Sequence, residues 1–323
     1  MKTLIEAQGL RTWFPIKTRL LSKPKYVRAV DGVDITIHEG ETLAVVGESG
    51  CGKTTLGKTL LRIYRPFDGK ILYRGRDITY FKERELKWYR RKAQMIHQDP
   101  FSSLNPFFNV RRILEEPLII HRIGSKEERE ERVYRVLEDV KLTPVEDFVS
   151  KYPHMLSGGQ RQRVAIARAL ILEPEFVVAD EPVSMLDASV RIEILYLLHD
   201  LQDKYGISFM YITHDIATAK YFSNRIAVMY AGKIIELGQT RKIIEKPLHP
   251  YSQALIEAIP DPDPSNRFKM RKIPPGEPPD LINPPSGCRF APRCPFRTDK
   301  CELEPPINGV EPNHFVSCWL YGG

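Results

Sequence analysis

The sequence predicts an α/β protein with a doubly wound parallel sheet, and two observations support this fold class. Short apolar runs alternate with helical stretches, as in Phe176–Ala179, Val190–Lys204 and Ser208–Ile212. Strands that alternate with helices favour a parallel sheet, because parallel neighbours need a long crossover connection. An earlier apolar run, Thr42–Val46, leads through a glycine-rich loop into another helical pattern, Thr55–Ile63. The pattern stops at residues 260–286, which hold nine prolines.

The remaining elements follow from hydrophobic patterning. Short β runs are predicted at Leu4–Leu10, Val33–Ile37, Lys70–Tyr73 and Arg225–Met229. From about 82 to 171 the pattern is helical and highly charged. Proline at the density of residues 260–286 removes amide donors and fixes φ, which predicts an extended arm. We therefore expect a main domain over residues 1–255, and the arm with a small C-terminal module over 256–323.

The composition limits the class of protein. The 323 residues are 42% hydrophobic and 28% charged, an ordinary mix for a globular chain. No run approaches the ~18 apolar residues of a membrane span, and the start, MKTLIEAQGL, lacks the apolar core of a signal peptide. We therefore expect neither a span nor export. The surplus of basic residues, 48 − 41 = 7, fits an anionic ligand, a nucleic acid or a membrane surface without selecting one.

The residues after Thr42–Val46 form a predicted phosphate-binding loop. They read GESGCGKT and fit the pattern G-x-x-x-x-G-K-[ST] between a strand and a helix. Such a loop wraps its amides around a polyphosphate, while Lys53 reaches the β- and γ-phosphates and Thr54 ligates Mg²⁺. A glycine-rich turn without function is the weaker alternative. The expected nucleotide-binding residues are Gly47, Glu48, Ser49, Gly50, Cys51, Gly52, Lys53, Thr54 and Thr55, with the Cys51 thiol incidental.

An acidic pair follows a later apolar strand. Phe176–Ala179 runs into Asp180 and Glu181. In a protein with a phosphate-binding loop, the first acid completes the Mg²⁺ site, and Glu181 is placed to polarise the attacking water. The alternative, an acidic pair that caps the following turn, is weak beside a phosphate-binding loop.

A signature turn lies between these two motifs. It reads LSGGQ and comprises Leu156, Ser157, Gly158, Gly159 and Gln160. Ser157 can cap the helix that follows, and the two glycines expose amides at its N-terminus, which makes a second anion site. Taken alone, the turn is only a good helix cap.

Together the three motifs resemble the ATP-binding subunits of ABC transporters. The resemblance implies a RecA-like parallel sheet core, an antiparallel β subdomain and a helical subdomain at about residues 100–170. It also implies that two subunits meet head to tail, so that Ser157, Gly158 and Gly159 of one cover the ATP held by the other. A monomer should therefore hydrolyse ATP poorly.

The resemblance assigns further residues to the site. Gln98 matches the glutamine that senses Mg²⁺ and touches the membrane subunit, and His214 matches the histidine that contacts the γ-phosphate. Asp187 ends the SMLD segment that matches the D-loop, with methionine where alanine is commoner. For the aromatic ring that stacks on adenine the candidate is Tyr26, with Trp13 and Phe14 as alternatives and core packing nearly as good an explanation.

Four cysteines lie near the C-terminus at Cys288, Cys294, Cys301 and Cys318. Four thiolates suit structural zinc or an iron–sulfur cluster. Their spacing leaves the choice open and leans towards the cluster, since the short C-x2-C pairs usual for zinc are absent. The segment NPPSGCRFAPRCP resembles the C-terminal extension of oligopeptide/dipeptide importer ATPases, and that resemblance implies a [4Fe–4S] cluster.

The resemblance covers essentially the whole chain and implies its partners. Within this branch the chain is similar to the F-type ATPase, which pairs with a D-type ATPase on two membrane permeases, served indirectly by a solute-binding protein. We therefore expect a peripheral protein on the cytoplasmic face of the membrane, with residues after Gln98, including Phe107, Phe108 and Val110, at the permease docking surface. The cargo is expected to be oligopeptides or dipeptides, or oligosaccharides as in some relatives.

Two other classes of function compete with this interpretation. A soluble ABC-superfamily ATPase acting on nucleic acid or ribosomes would fit the basic surplus, but such proteins usually carry two cassettes or a long coiled-coil insertion. This chain has one cassette, so no nucleic-acid partner is expected. An electron-transfer protein is disfavoured because the ATPase motif set is complete.

Overall fold

A computed structural model describes residues 2–16, 24–258 and 275–321. These residues fold into two units. The first unit contains the described residues up to Leu4, Ile37–Glu41 and Tyr80–Tyr211, and the second contains the described residues of Ile5–Thr36, Thr42–Thr79 and those from Ile212 onwards. The proposed domain boundary at residues 255–256 lies just before residues 259–274, which are outside the described ranges. These residues include more than half of the proline-rich arm.

The strands of the described residues are numbered in chain order. They are β1 Thr3–Ile16, β2 Lys25–His38, β3 Thr42–Val46, β4 Asp68–Tyr73, β5 Arg76–Asp77, β6 Ala93–Ile96, β7 Phe176–Asp180, β8 Ser208–Thr213, β9 Arg225–Tyr230, β10 Lys233–Gln239, β11 Asn308–Glu311 and β12 His314–Val316.

The helices are numbered in the same way. They are α1 Lys53–Leu60, α2 Glu83–Lys92, α3 Pro100–Ser103, α4 Val110–His121, α5 Lys126–Asp139, α6 Glu146–Val149, α7 Gly158–Leu170, α8 Ala188–Tyr205, α9 Ile216–Phe222, α10 Thr240–Glu245 and α11 Pro250–Glu257. Short 3₁₀ turns occupy Pro153–Met155, Ala291–Arg293 and Asp299–Glu302.

The second unit contains two sheets. In one, β2, β1, β4 and β5 are neighbours in that order, with antiparallel pairing between β1 and β4 and between β4 and β5. In the other, β3 pairs in parallel with β9, and β9 continues through β10 and β12 to β11 in antiparallel pairs. The C-terminal hairpin β11–β12 therefore extends this sheet, although the proline-rich composition before it predicts a separate module.

The first unit places helices around β6, β7 and most of β8. β7 lies between β6 and β8 and pairs in parallel with β6. Every residue of β7 is buried, as expected of a strand covered on both faces. The helices α3 to α7 occupy most of residues 100–170, where a helical subdomain is proposed.

Local sequence explains where the helices begin and end. At α5, the Ser125 side chain caps the helix and Glu128 accepts a hydrogen bond from the Ser125 amide, a reciprocal capping box. The apolar residues Val133, Val136 and Leu137 of this helix are buried, in agreement with their helical spacing. At the C-terminal end of α8, Gly206 takes a left-handed conformation with φ 66° and stops the helix.

The structure confirms the predicted alternation of strands and helices and corrects three details. The region from 82 to 171 is not wholly helical, because it contains the short strand β6. The helix predicted at Thr55–Ile63 begins at Lys53 and ends at Leu60, and Arg62 beyond it adopts a positive φ of 58°. Strand β10 is an additional strand that the pattern did not identify.

Candidate nucleotide site

The phosphate-binding loop depends on two glycines that no other residue can replace. Gly47 has φ 152° and Gly52 has φ 108°, which L side chains rarely adopt. A Cβ atom on Gly47 would lie 2.1 Å from the carbonyl oxygen of Met229, and one on Gly52 would lie 2.0 Å from that of Ala29. Backbone approaches this close require glycine, so both glycines are built into the packing of the loop against β9 and β2.

Lys53 is the central cation of the loop. Its buried ammonium donates hydrogen bonds to the carbonyl oxygens of Gly47, at 2.7 Å, and Glu48, at 2.9 Å. Thr54 and Thr55 follow it in the first turn of α1 and are half-buried. Ser49 and Gly50 lie at the turn of the loop, where Gly50 takes a positive φ of 78°. The carbonyl groups of the loop therefore close around the ammonium group of Lys53, which is the first residue of α1.

Cys51 is buried inside the same loop. Burial raises the pKa of its thiol, and this outweighs the opposing effect of Lys53. The thiol is therefore neutral and a weak nucleophile at physiological pH. Its role as a bystander remains a prediction.

The acidic pair stands at the end of β7. Asp180 is buried, whereas Glu181 takes a left-handed backbone conformation with φ 45°. Non-glycine residues in this conformation are strained and occur often at functional sites. The side-chain amide of Gln98 donates a hydrogen bond to Glu181 Oε2 at 2.9 Å. Two predicted site residues that are 83 positions apart in sequence are thus in direct contact.

The signature turn forms a capped helix start, as its sequence suggests. Ser157 Oγ accepts a hydrogen bond from the Gln160 amide at 3.3 Å, and Gln160 Oε1 accepts one from the Ser157 amide at 3.0 Å. Leu156 is buried, and Ser157 is exposed. Gly158 and Gly159 begin α7, so their amides belong to its first turn.

Asp187 and His214 precede helices in their respective units. Asp187 is exposed at the N-cap of α8 and makes no side-chain capping hydrogen bond. His214 is exposed directly after β8, next to Asp215, whose side chain caps α9 by accepting from the Ala217 amide at 2.9 Å. Both positions leave the side chain at an element end, where ligand-binding groups commonly stand.

Two of the three candidate adenine-stacking rings form one aromatic cluster with a residue that the sequence did not identify. Trp13 stacks on Phe67 at 4.5 Å between centroids, and Tyr26 meets Phe67 edge-on at 5.5 Å. Phe14 instead packs against Tyr64. Phe67 is 49% exposed, so the cluster of Trp13, Tyr26 and Phe67 has an open aromatic face. The role of Tyr26 in stacking remains a prediction.

The expected permease-docking residues differ in their exposure. Phe107 is 85% exposed and Phe108 is half-buried. Val110 is fully buried, because it begins α4 on the face that packs into the first unit. Val110 is therefore wrong as a docking residue, while Phe107 remains a candidate.

The four tail cysteines line a single cavity of about 430 Å³. All four are free and half-buried. Burial raises the pKa of the Cys288, Cys294 and Cys318 thiols, that of Cys318 to about 11. Within residues 2–16, 24–258 and 275–321, no group of three or more His, Cys, Asp or Glu side chains is arranged to hold a single metal ion.

Two contacts to the phosphate-binding loop are not predicted by any motif. Arg293, from the segment that carries Cys288 and Cys294, forms an ion pair with Glu48 at 3.0 Å. Tyr251 Oη accepts a hydrogen bond from the Glu48 amide at 2.8 Å. The sequence motif predicts the loop but not these partners, because they are more than 200 positions away from Glu48.

Comparison with protein families identifies two matching regions. Residues 30–184 match the ABC transporter family, and residues 235–301 match the C-terminal region of oligopeptide/dipeptide transporters. Solved structures agree with the fold: the dimeric, post-hydrolysis ATP-binding cassette MJ0796 bound to ADP and Pi is 30% identical, with a TM-score of 0.65. That match covers 74% of this chain and 99% of the cassette.

Similar proteins extend the match over nearly the whole chain. The oligopeptide transport ATP-binding protein AppF of Bacillus subtilis is 43% identical, covering 99% of this chain and 98% of its own. The dipeptide transport ATP-binding protein DppF of Haemophilus influenzae is 45% identical, covering 98% and 96%. The chain therefore belongs to the ABC transporter family, among the ATP-binding, ATP-hydrolysing subunits of oligopeptide/dipeptide transporters.

Proposed function

We propose that this chain hydrolyses ATP at composite sites formed by two ATPase subunits and thereby drives peptide import through separate membrane permeases. The near full-length match to oligopeptide and dipeptide transport ATP-binding proteins carries this proposal. None of the helices in the described ranges is both long and apolar enough to cross a membrane. The proposed place of the chain is peripheral, on the cytoplasmic face of the membrane.

The proposed nucleotide contacts come from one loop. The backbone of Gly47 to Gly52 and the N-terminus of α1 bind the phosphates, with Lys53 reaching the β- and γ-phosphates. Thr54, Gln98 and Asp180 are the proposed Mg²⁺ ligands, an oxygen donor set that this ion prefers. The aromatic cluster supports Tyr26 as the ring that stacks on adenine.

Glu181 is the proposed catalytic residue. As a general base it accepts the proton of the attacking water, while Gln98, within hydrogen-bond distance of it at 2.9 Å, orients its carboxylate. His214 is proposed to hold the γ-phosphate. From the partner subunit, the amides of Ser157, Gly158 and Gly159 and the Asp187 carboxylate complete the site.

Replacement of Glu181 tests the function. Glu181→Gln keeps the size and the Gln98 contact but removes the base, so ATP turnover should fall by about 10²–10⁴-fold. Binding of ATP should persist, and ATP should then drive dimerisation that size-exclusion chromatography detects. When the wild-type chain is assayed together with the proposed D-type ATPase, the specific activity should rise with protein concentration because two chains form each site.

Glu138→Gln is the matched control, since this exposed glutamate lies on α5 and should leave turnover unchanged. Wild-type turnover in Glu181→Gln would refute the catalytic assignment. A specific activity independent of concentration would refute the composite site.

We further propose that Cys288, Cys294, Cys301 and Cys318 hold a [4Fe–4S] cluster, with zinc as the less favoured occupant. Thiolates are the ligands such clusters take, one to each iron. The shared cavity of about 430 Å³ exceeds the ~30 Å³ of one water molecule many times over, so it has room for more than one ion. When bound, the cluster would cross-link four points of a small, core-poor segment.

Iron and sulfide analysis of anaerobically purified protein tests the cluster. We expect about four irons and four sulfides for each chain, from the cluster composition, and loss of both in Cys294→Ser. Cys51→Ser is the matched control, because this cysteine lies outside the cavity. Stoichiometric zinc would refute the cluster.

The proposed partners follow from the branch of the family. A D-type ATPase would supply the second half of a heterodimer, two permeases would supply the membrane path, and a solute-binding protein would deliver the peptide. Co-purification with these proteins tests the assignment of the partners. Uptake measurements on the assembled transporter decide whether the cargo is a peptide or an oligosaccharide.

A further inference from the structure

The phosphate-binding loop contains an acid, which is unexpected beside a triphosphate. Glu48 is its second residue, and its carboxylate is 31% exposed. A negative charge there repels the phosphates that the loop amides and Lys53 attract. An opposite charge held against Glu48 would offset this repulsion.

Arg293 supplies the opposite charge. Its Nη1 donates to both oxygens of the Glu48 carboxylate, at 3.0 Å and 3.2 Å. The Arg293 side chain is only 7% exposed, so the pair is shielded from solvent on one side and is screened less than a surface pair. Arg293 also donates from Nε to the Pro275 carbonyl at 3.2 Å, which fixes the guanidinium from a second direction.

A buried aromatic frame sets the position of Arg293. Its Nη1 lies 3.3 Å from Tyr230 Oη. The Tyr230 ring packs against Tyr251 at 4.6 Å and edge-on against Phe290 at 5.3 Å. Phe290 lies between Cys288 and Cys294 and lines their cavity. The packing of residues 288–301, the cysteine segment, therefore sets the position of the Arg293 guanidinium.

The frame also holds the backbone of the loop. Tyr251 Oη accepts from the Glu48 amide at 2.8 Å, and His249, two residues before Tyr251, lines the cysteine cavity. Burial lowers the pKa of His249 to about 3, so its neutral ring accepts from the Tyr251 amide at 3.0 Å. Glu48 is therefore restrained through both its side chain and its amide.

A second arginine supports the other side of the loop. Arg289 forms a buried ion pair with Asp31 and donates to the Ala231 carbonyl. The next residue, Gly232, donates its amide to the Cys51 carbonyl at 2.8 Å. The cysteine segment thus contacts the loop directly at Glu48, through Arg293. It contacts Cys51 indirectly, through Ala231 and Gly232.

We propose that Arg293 is a positioning residue for ATP binding: it neutralises and fixes Glu48, and thereby makes the affinity of the phosphate-binding loop depend on the C-terminal cysteine segment. The inference rests on the proposed ATP site. It assigns the C-terminal segment a task in nucleotide binding that is separate from any contact with a transporter partner.

The test is a mutant cycle on the full chain, with the Kd for a non-hydrolysable ATP analogue measured by calorimetry. Arg293→Met leaves Glu48 unpaired, so the Kd should rise roughly fivefold and KM should change more than kcat. Adding Glu48→Gln removes the unpaired charge and should return the Kd to near the wild-type value. Glu48→Gln alone leaves the Arg293 charge unopposed beside the loop, so the Kd should fall below the wild-type value.

Arg297→Met is the matched control, because this exposed arginine lies in the same segment, 3.9 Å from Glu302, and its loss should leave the Kd unchanged. An unchanged Kd in Arg293→Met, or a double variant that stays as weak as Arg293→Met, would overturn the proposal. If Arg293→Met does not fold, weaker binding in Glu48→Gln alone would overturn it. A wild-type chain that binds no nucleotide would instead contradict the proposed function.

Discussion

Gly158 and Gly159 are adjacent in the signature turn but differ in the space around them. A Cβ on Gly159 would lie 2.7 Å from Val190 Cγ1, whereas one on Gly158 would lie 3.7 Å from Leu186 Cδ2. The first distance is a clash and the second an ordinary contact. Gly159 is therefore required by the packing of α7 against α8, apart from any contact its amide makes with a nucleotide.

This difference predicts opposite effects of alanine on stability. Gly159→Ala should lower the free energy of unfolding by about 1–3 kcal/mol through overpacking. Gly158→Ala should leave it unchanged or raise it by up to ~1 kcal/mol, since alanine is the better helix former. Chemical denaturation of both variants measures the difference.

The double variant Gly159→Ala/Val190→Ala provides the control, because removing the Val190 methyl groups makes room for the new Cβ. Its loss in the free energy of unfolding should be smaller than the sum of the losses in Val190→Ala and Gly159→Ala. Equal free energies of unfolding in Gly158→Ala and Gly159→Ala would show that the close approach to Val190 does not require glycine at position 159.

Residue-level motifs could be predicted from sequence because their chemistry is local. The loop from Gly47 to Thr54 needs particular residues at fixed spacings, and so does the acid pair at the end of β7. The Arg293–Glu48 ion pair had no such signal, since a guanidinium 245 positions away is recognised only once the fold has placed it.

At the scale of elements, the start of α11 depends on one buried carboxylate. Glu236 on β10 accepts from the amides of Leu248 and His249, both at 2.9 Å, and makes a 2.7 Å hydrogen bond with His314 Nε2 on β12. Its side chain is completely buried. Strand, helix start and C-terminal hairpin thus share a single acceptor group.

Replacing that group should destabilise the second unit. Glu236→Gln turns one acceptor oxygen into a donor that faces other donors, which should cost about 1–3 kcal/mol in the free energy of unfolding. Denaturant titration measures this loss. Glu245→Gln, at an exposed ion pair with Arg241, should change the stability by less than ~0.5 kcal/mol. Equal effects would mean that Glu236 is not the anchor.

Helices and strands were predicted correctly where the pattern of their own residues determines the conformation. They were missed where pairing with another strand determines it. The strand β3 and the capped helix α5 carry their signals in their own residues. The strand β6 has four residues between a charged helix and a polar loop, and its conformation comes from its parallel pairing with β7. A single sequence contains no direct sign of that pairing.

At the scale of the whole chain, the sequence was a good guide to family and a poor guide to how the tail is joined. The shift to proline near residue 260 predicts a separate module. Instead, β12 pairs with β10, and the cysteine segment packs around Tyr230 and Tyr251 of the same unit. Composition indicates the linker but contains no information on the packing that follows it.

The ion pair between Glu48 and Arg293 also has a consequence for synthesis. Ribosomes add roughly 5–20 residues each second, and 245 positions separate the two residues. The complete sequence of the phosphate-binding loop therefore waits on the order of tens of seconds for its arginine to be made. A nascent or truncated chain that stops between residues 215 and 292 carries every ATPase motif but lacks this support, so the nucleotide site is completed only after residue 293 has been made.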